Sequence, residues 1–430
     1  MPDTARSTDT KQHTEHDMRK LYIAMMGLPA RGKTTVSSKL KEGLEQEDLN
    51  VRIFNNGALR RQILGEASSR AEFYNPENRD GLEAREELAR LNMERAQQFL
   101  AEDGDVAILD ATNVSALRRE VVQKTLTDHP LLWVECTNDD QDLVEASILR
   151  KTRLPEFASL SESEAVASFK RRIAYYEHIY TPFSQEPCWI RVDSLRNRII
   201  DEQISHNIPY YVNIRDILVS DWIRNLYLVR HGQTLYNMEG RIGGDSELTQ
   251  QGLEQAEALG RHFRGFSIPY IFTSTRRRSH QTATPIYQGQ DHCTVKALSE
   301  FDEINAGICE HMRYEEIKHK WPNEYRRRQK DKYHYIYPEG EGYITMKERV
   351  DKGLRKALYL SGNAEALMIV GHQAINRMIL SYFLFRRTED VPFIYIPQDQ
   401  YFHIVSTQKK KLFEQVRFTG RRERTGTKPD

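Results

Sequence analysis

The chain has 430 residues, of which 39% are hydrophobic and 29% charged, with 62 Lys+Arg set against 62 Asp+Glu. That length predicts two or three domains with cores of ordinary size, and the 21 Tyr, 16 Phe and 4 Trp exclude a disordered chain. Zero net charge argues against a general nucleic-acid coat or a membrane-surface binder, and four scattered cysteines (Cys136, Cys188, Cys293, Cys309) without a CxxC pair argue against a zinc module or disulfide scaffold.

Residues 1–19 read as a polar, flexible leader without the apolar centre of a signal peptide. Lys20–Gly27 then reads as a buried strand, Gly32–Leu44 as a helix and Val51–Phe54 as a short strand. Pro76–Asp103 has helical spacing, with Pro76 suited to the first turn. Val106–Leu109 is a continuous apolar strand ending at Asp110, Leu131–Glu135 is another, and Ala165–His178 reads as a helix. Strands alternating with helices over residues 20–221 predict a parallel sheet covered on both faces. A second α/β unit is expected over 222–410. Its strands are Asn225–Val229, ending at Arg230-His231, Tyr270–Phe272, running into Thr273-Ser274, and Ala366–Val370, ending at Gly371-His372; Thr249–Phe263 reads as a helix. The join around Tyr210–Trp222 lacks a Pro/Gly/Ser linker, and residues 411–430 read as a basic, solvated tail. The longest apolar stretch, Leu367–Phe385, is interrupted by His372, Gln373, Asn376 and Arg377 and predicts a strand followed by a helix, not a membrane span. A soluble, cytoplasmic chain is expected.

Two constellations carry chemistry. Residues 27–34 (Gly27, Leu28, Pro29, Ala30, Arg31, Gly32, Lys33, Thr34) form GxxxxGK[ST] between a strand and a helix, with Thr35 following. Glycines let several backbone N–H groups face one phosphate, and the helix N-terminus adds its positive dipole end. Lys33 is expected to reach the β- and γ-phosphates of ATP and Thr34 to sit on Mg²⁺, with Asp110 at a neighbouring strand end as a second metal or hydroxyl-directed group. An anionic acceptor calls for guanidinium groups, and Arg60, Arg61, Arg85, Arg118 and Arg172 are candidates.

The second constellation is Arg230-His231-Gly232 at a strand end. A neutral imidazole can attack phosphorus while an arginine neutralises the phosphoryl oxygens. Arg276, Arg277 and Arg278 after one strand, Gly371-His372-Gln373 after another, and Glu303 complete a set of two histidines, arginines and a carboxyl group able to clamp a transferring phosphoryl group and protonate its leaving oxygen. Arginines beside His231 repel a cation, so no metal is implied there.

Both halves, in this order, resemble the 6-phosphofructo-2-kinase/fructose-2,6-bisphosphatase family from about Lys20 to about Val405. The carrying motifs are GLPARGKT, NNGALRR (Asn55–Arg61), DATN (Asp110–Asn113) and FKRRIAYYE (Phe169–Glu177), then LVRHGQT, GRIGGDSELT, EINAGICE, YPEGEGY and GHQAINR. RHG, RIGGDS and GHQ look like the histidine phosphatase superfamily, which includes phosphoglycerate mutase. The resemblance implies a P-loop NTPase-type domain with a parallel sheet joined to a phosphoglycerate mutase-like α/β domain. It implies transfer of the ATP γ-phosphate to fructose 6-phosphate, and hydrolysis of fructose 2,6-bisphosphate at the 2-phosphate. By the same resemblance Arg60, Arg61, Arg85, Thr112, Arg118, Arg172 and Tyr176 surround the sugar phosphate, with Lys151 or Arg153 adding charge on the triphosphate. His231 takes the phosphoryl group, Arg230, Asn237, Arg278 and His372 stabilise it, and Glu303 is acid and then base. Gly243, Arg349, Gln373 and Arg377 fall at further substrate positions, and a homodimer is implied, with neither nucleic acid nor membrane as partner.

Some residues depart from the family pattern. Tyr333-His334-Tyr335-Ile336-Tyr337-Pro338-Glu339-Gly340-Glu341 carries His, Ile and Glu where the family has Arg, Arg and Lys. If those cations grip the sugar 6-phosphate, several charge-assisted bonds of roughly 1.5–3 kcal/mol each are lost. Asn305 replaces an Asp, Thr137 a Cys and Ala116 an Arg. The alternatives to two working activities are therefore a kinase joined to a phosphatase of weakened or altered specificity, or a nucleotide-binding regulator with decayed catalysis. Nucleic-acid end repair fits the architecture loosely but not the zero net charge.

Overall fold

The computed structural model describes residues 19–384, 387–407 and 410–418. They fall into two units that divide between Asp221 and Trp222, each built on a six-stranded sheet.

The first unit contains β1 (Leu21–Met26), β2 (Val51–Asn55), β3 (Val106–Asp110), β4 (Leu131–Thr137), β5 (Cys188–Asp193) and β6 (Arg198–Ile204), ordered β2-β3-β1-β4-β5-β6. All pairings are parallel except β5 with β6. All six residues of β1, LYIAMM, are buried, as a strand covered on both faces requires. Alternate β1 residues enter two cores: Leu21, Ile23 and Met25 on one side, Tyr22, Ala24 and Met26 on the other. Because β1 lies between β3 and β4, the crossover from β1 runs to β2 on one side and the crossover from β3 runs to β4 on the other. The crevice beyond the C-terminal end of β1 is the place where open α/β sheets bind ligands. The long helix starts at Arg79, not in the turn holding Pro76. The Asn78 side chain accepts from the N–H of Gly81 and supplies the cap a proline cannot. The join predicted at Tyr210–Trp222 is largely helix (Tyr211–Val219), burying Ile214, Ile217 and Leu218 in the core below the phosphate loop.

The second unit contains β7 (Ile223–Arg230), β8 (Tyr270–Thr273), β9 (Thr294–Ala297), β10 (Leu367–Gly371), β11 (Gln400–Ser406) and β12 (Lys411–Arg417), ordered β12-β11-β7-β10-β8-β9. β7, β10, β8 and β9 run parallel, while β11 pairs antiparallel with β7 and β12 antiparallel with β11. The boundary at 410 and the tail from 411 therefore need correction: Lys411–Arg417 is a strand. Its charges conceal an alternation in which Leu412 and Val416 turn partly inward, and Phe413 stacks on Phe402 of β11 at 5.4 Å. The rest of that tail, residues 419–430, lies outside the described residues, as does the leader up to residue 18. No helix among the described residues is long and apolar enough to cross a membrane.

Candidate functional sites

The phosphate loop bends at Gly27, Ala30 and Gly32, all with positive φ (135°, 64° and 84°). A Cβ on Gly27 would lie 2.5 Å from the carbonyl oxygen of Cys136 on β4, so only glycine lets the loop leave the sheet there. The Lys33 ammonium donates to the carbonyls of Gly27 (2.6 Å) and Leu28 (2.8 Å). Enclosure lowers its pKa to about 7, against the opposing pull of Asp110. The Thr34 hydroxyl donates to Asp110 Oδ2 at 2.9 Å. Asn55, at the end of β2, donates to the same oxygen and caps the helix Asn56–Leu64 through its own Oδ1. Gly27 N–H donates to the Thr112 carbonyl at 3.1 Å. The ends of β2 and β3 and the first turn of the helix Lys33–Glu45 thus meet at one carboxylate.

Around this cradle the candidate arginines converge on a residue that sequence reasoning missed. The Tyr74 ring lies 3.9 Å from the guanidinium carbon of Arg172, 5.4 Å from that of Arg85 and 5.5 Å from that of Arg60. The Tyr176 ring is 5.8 Å from it. Each cation–π contact contributes about 0.5–2 kcal/mol, and the ring keeps three like charges together. Arg60 and Arg61 share buried Glu156 (3.9 and 3.1 Å), whereas Arg118 pairs with Glu86. Lys151, one of two alternatives for a further charge, is pushed down to about 8 by burial and then by Arg172. Arg153 instead faces Glu162 at 3.8 Å, well exposed. Arg31 Nη1, Arg60 Nε and Arg172 Nε are buried without a hydrogen-bond partner. Burying an unpaired donor is costly, and a bound anion would remove that cost. The cradle and Thr34–Asp110 fit a nucleotide with Mg²⁺, a cation that keeps several waters and takes one or two protein oxygens.

In the second unit, the β7–β10 register sets Arg230 opposite Gly371, so His231 and His372 leave adjacent strands at one level. Their ring centroids are 5.0 Å apart. His231 is buried, and its Nδ1 lies 2.7 Å from its neighbour's carbonyl, Gly232 O, an atom that can only accept. The proton is thereby fixed on Nδ1 and the Nε2 lone pair left free. Burial, then Arg278 and Arg230, hold the imidazole pKa well below its usual value, so the ring is neutral. In His372, Nδ1 accepts from Arg278 Nε (3.1 Å), which puts the proton on Nε2, facing Ser274 Oγ at 2.8 Å. Arg278 Nη1 donates to the Gly244 carbonyl at 2.8 Å. Gly243 has φ 70°, and a Cβ there would meet Glu310 Oε2 at 2.0 Å. The Glu303 carboxylate accepts from the N–H groups of Gln373 (3.0 Å) and Ala374 (3.2 Å), at the start of the helix Gln373–Ser381. Arg349 grips Glu341 with two bonds (2.7 and 2.6 Å) and donates to the carbonyls of Glu300 and Asp302. It braces the segment that carries Glu303 and has little donor capacity left for a ligand.

The tyrosine-rich stretch requires a second correction. Tyr333, Tyr335 and Tyr337 are buried, while His334, Ile336 and Glu339 point to solvent. The replaced family cations therefore stand on the outer side of this stretch. The cations that gather here are Arg328, Lys332 and Arg377. Arg328 lies over Tyr314 (5.1 Å) and Tyr337 (5.7 Å), and Arg377 donates to the Tyr343 hydroxyl at 3.1 Å. Lys332 is lowered to about 8 by burial and by Arg377 and Arg328. Sequence reasoning missed Arg328 because Arg326-Arg327-Arg328 reads as a solvated helix face; the tyrosines spaced around it were the available signal.

Residues 392–398 run past this site as a strap. Lys332 Nζ donates to the Pro392 carbonyl (3.0 Å), Arg377 Nε to Ile394 (2.7 Å) and Arg230 Nη1 to Ile396 (2.9 Å). Gln398 Nε2 donates to the His231 carbonyl (3.2 Å) and to Asn237 Oδ1 (3.0 Å). Phe393 and Tyr395 between them are 68% and 72% exposed.

Fold and site together define a P-loop phosphotransferase unit joined to a histidine phosphatase unit. Residues 8–217 match 6-phosphofructo-2-kinase, and residues 226–416 match the histidine phosphatase superfamily (branch 1). The chain is 33% identical over 390 residues to 6-phosphofructo-2-kinase/fructose-2,6-bisphosphatase 3 of Homo sapiens, covering 87% of this chain and 72% of that protein. It is 32% identical to 6-phosphofructo-2-kinase/fructose-2,6-bisphosphatase 1 of Mus musculus, covering 87% and 79%. The Arabidopsis thaliana relative, 34% identical, is covered over 51% of its length. The chain belongs to the 6-phosphofructo-2-kinase/fructose-2,6-bisphosphatase family.

Proposed function

We propose that the first unit transfers the γ-phosphoryl group of ATP to the 2-hydroxyl of fructose 6-phosphate, and that the second hydrolyses the resulting fructose 2,6-bisphosphate at its 2-phosphate. In the first unit Lys33 leaves its loop carbonyls for the phosphates, and Thr34 and Asp110 are the residues that would hold Mg²⁺, which when bound would supply positive charge against the phosphate oxygens. Arg60, Arg85 and Arg172, spaced by Tyr74, grip the sugar phosphate. In the second unit neutral His231 attacks phosphorus through Nε2, forming the N–P bond as the bond to O2 of the sugar breaks. Arg230 and Arg278 neutralise the phosphoryl oxygens, His372 holds Arg278 in place, and Glu303 delivers the proton to the leaving oxygen. Water then attacks the phosphohistidine: its proton passes to Glu303, the new O–P bond forms as the N–P bond to His231 breaks, and phosphate leaves. Arg328, Lys332 and Arg377 take the 6-phosphate, so weakened phosphatase affinity is not expected. A cytoplasmic homodimer accompanies this reading through the family.

The observation that carries the reading is the neutral His231, its Nε2 free, beside two arginines and 5.0 Å from His372. Brief exposure to substrate labelled at the 2-phosphate should leave acid-labile label on the protein, and His231→Ala should abolish both label and hydrolysis while the kinase rate persists. Label persisting in that variant overturns the assignment.

A further inference from the structure

Asn237 sits at the third position of the short helix Leu235–Glu239, where it forms a reciprocal cap with Thr234. Its backbone N–H donates to Thr234 Oγ1 (3.1 Å), and its Oδ1 accepts from the Thr234 N–H (3.2 Å). A backbone N–H can only donate, so the amide atom facing Thr234 is Oδ1. A backbone carbonyl can only accept, so the Gln398 atom facing His231 O at 3.2 Å is Nε2. That same Nε2 is 3.0 Å from Asn237 Oδ1. Two backbone groups of fixed chemistry thus determine the orientation of both amides, and neither can flip without losing two bonds. Asn237 Oδ1 receives two donors, while its Nδ2 hydrogens have no protein acceptor among the described residues.

We propose that Gln398 is a positioning residue for the phosphatase reaction: it locks the Asn237 amide with Nδ2 as the face offered to the phosphoryl group, and ties that amide to the main chain of the nucleophile. The inference rests on the reading that Asn237 contacts the phosphoryl group. Among the described residues, Gln398 is the one position of the strap whose side chain hydrogen-bonds to the phosphatase site. Without it, Asn237 keeps only the Thr234 contact, and the amide can swing or present Oδ1, which repels a phosphoryl oxygen. A carboxylate at 398 has no donor for either partner and would pull Nδ2 toward itself.

The test compares Gln398→Met, Gln398→Glu and Asn237→Ala, alone and combined, in the full chain with fructose 2,6-bisphosphate as substrate. A circular-dichroism melt of each preparation serves as the measure of folding. Gln398→Met should raise the phosphatase KM about threefold to tenfold with kcat within about twofold, and Gln398→Glu should raise KM beyond tenfold. Asn237→Ala should raise KM about tenfold or more, and in that background Gln398→Met should add less than about twofold. An unchanged KM in Gln398→Met, with Asn237→Ala impaired, overturns the proposal alone. Full persistence of the Gln398 effects in the Asn237→Ala background overturns it too, because Gln398 would then act by charge or through His231 only. An unimpaired Asn237→Ala overturns the underlying contact and the proposal together.

Discussion

The two anion sites solve one problem in opposite ways. In the first unit the anchor is eight contiguous residues whose backbone is the binding surface, and the surrounding cations are spaced by one aromatic ring, Tyr74, with several buried donors left unpaired. In the second unit the nucleophile, the two arginines beside it and the remote cations are gathered from separate segments spread between Arg230 and Arg377. They are held by main-chain carbonyls of the strap and by strand register. A contiguous anchor tolerates loose surroundings, because it carries its own geometry. An assembled anchor depends on whatever sets the distances between its parts. The first site should therefore fail when its own residues change, and the second also when its supports change.

The sharpest way to break this contrast is Lys33→Met. Kinase turnover should fall roughly 10²–10³-fold, the cost of removing one charged donor from a transition state, with phosphatase turnover unchanged on the same preparation. A parallel loss of both would show that the sites are not separately anchored. Lys33 also has a pH signature. Its native pKa of about 7 lies below the ordinary 10.5, so between those values the unfolded chain binds more protons than the folded one and this residue's contribution to stability rises with pH. Bound phosphates restore its charge. ATP binding near pH 8 should accordingly take up roughly one proton, measured by calorimetry in buffers of different ionisation heat, and Lys33→Met should reduce that uptake. Next in size is Tyr74→Leu. Losing the spacer should raise the KM for fructose 6-phosphate about fivefold to thirtyfold, at about 1–2 kcal/mol, with the KM for ATP little changed. The smallest effect sharpens the other side of the comparison. Ile336→Arg and Glu339→Lys, which restore family cations on the solvent face, should alter the phosphatase KM less than about twofold. A larger gain would return those positions to the binding site.

What was legible in the sequence follows the same division. GLPARGKT declared strand, turn, helix and ligand in one word, since each residue type there answers a local backbone demand. The strand ends bearing His231 and His372 were legible because central parallel strands are continuous apolar runs that stop abruptly at polar residues. Tyr74 was not, because its value lies in three arginines that reach it from separate helices. Arg328 and Lys332 sit in a charge-rich segment whose spacing suits a solvated helix, and only packing against Tyr314 and Tyr337 distinguishes them. β12 was hidden for the opposite reason: its apolar residues are few, and the strand owes its place to pairing with β11 and a single aromatic stack. The contacts at 392, 394 and 396 leave no mark at all, since any residue has a carbonyl.

That last point gives the strap an unusual genetic character. Where the contacting atoms belong to the main chain, length is constrained more tightly than spelling. Replacing Phe393 or Tyr395 leaves every carbonyl where it was. Inserting or deleting one residue between 392 and 396 shifts the parity of all that follows, turning oxygens outward and bringing side chains against Arg230 and Arg377. Natural relatives could therefore drift at the exposed positions 393 and 395 while keeping the count, with the buried Ile396 held to an apolar residue.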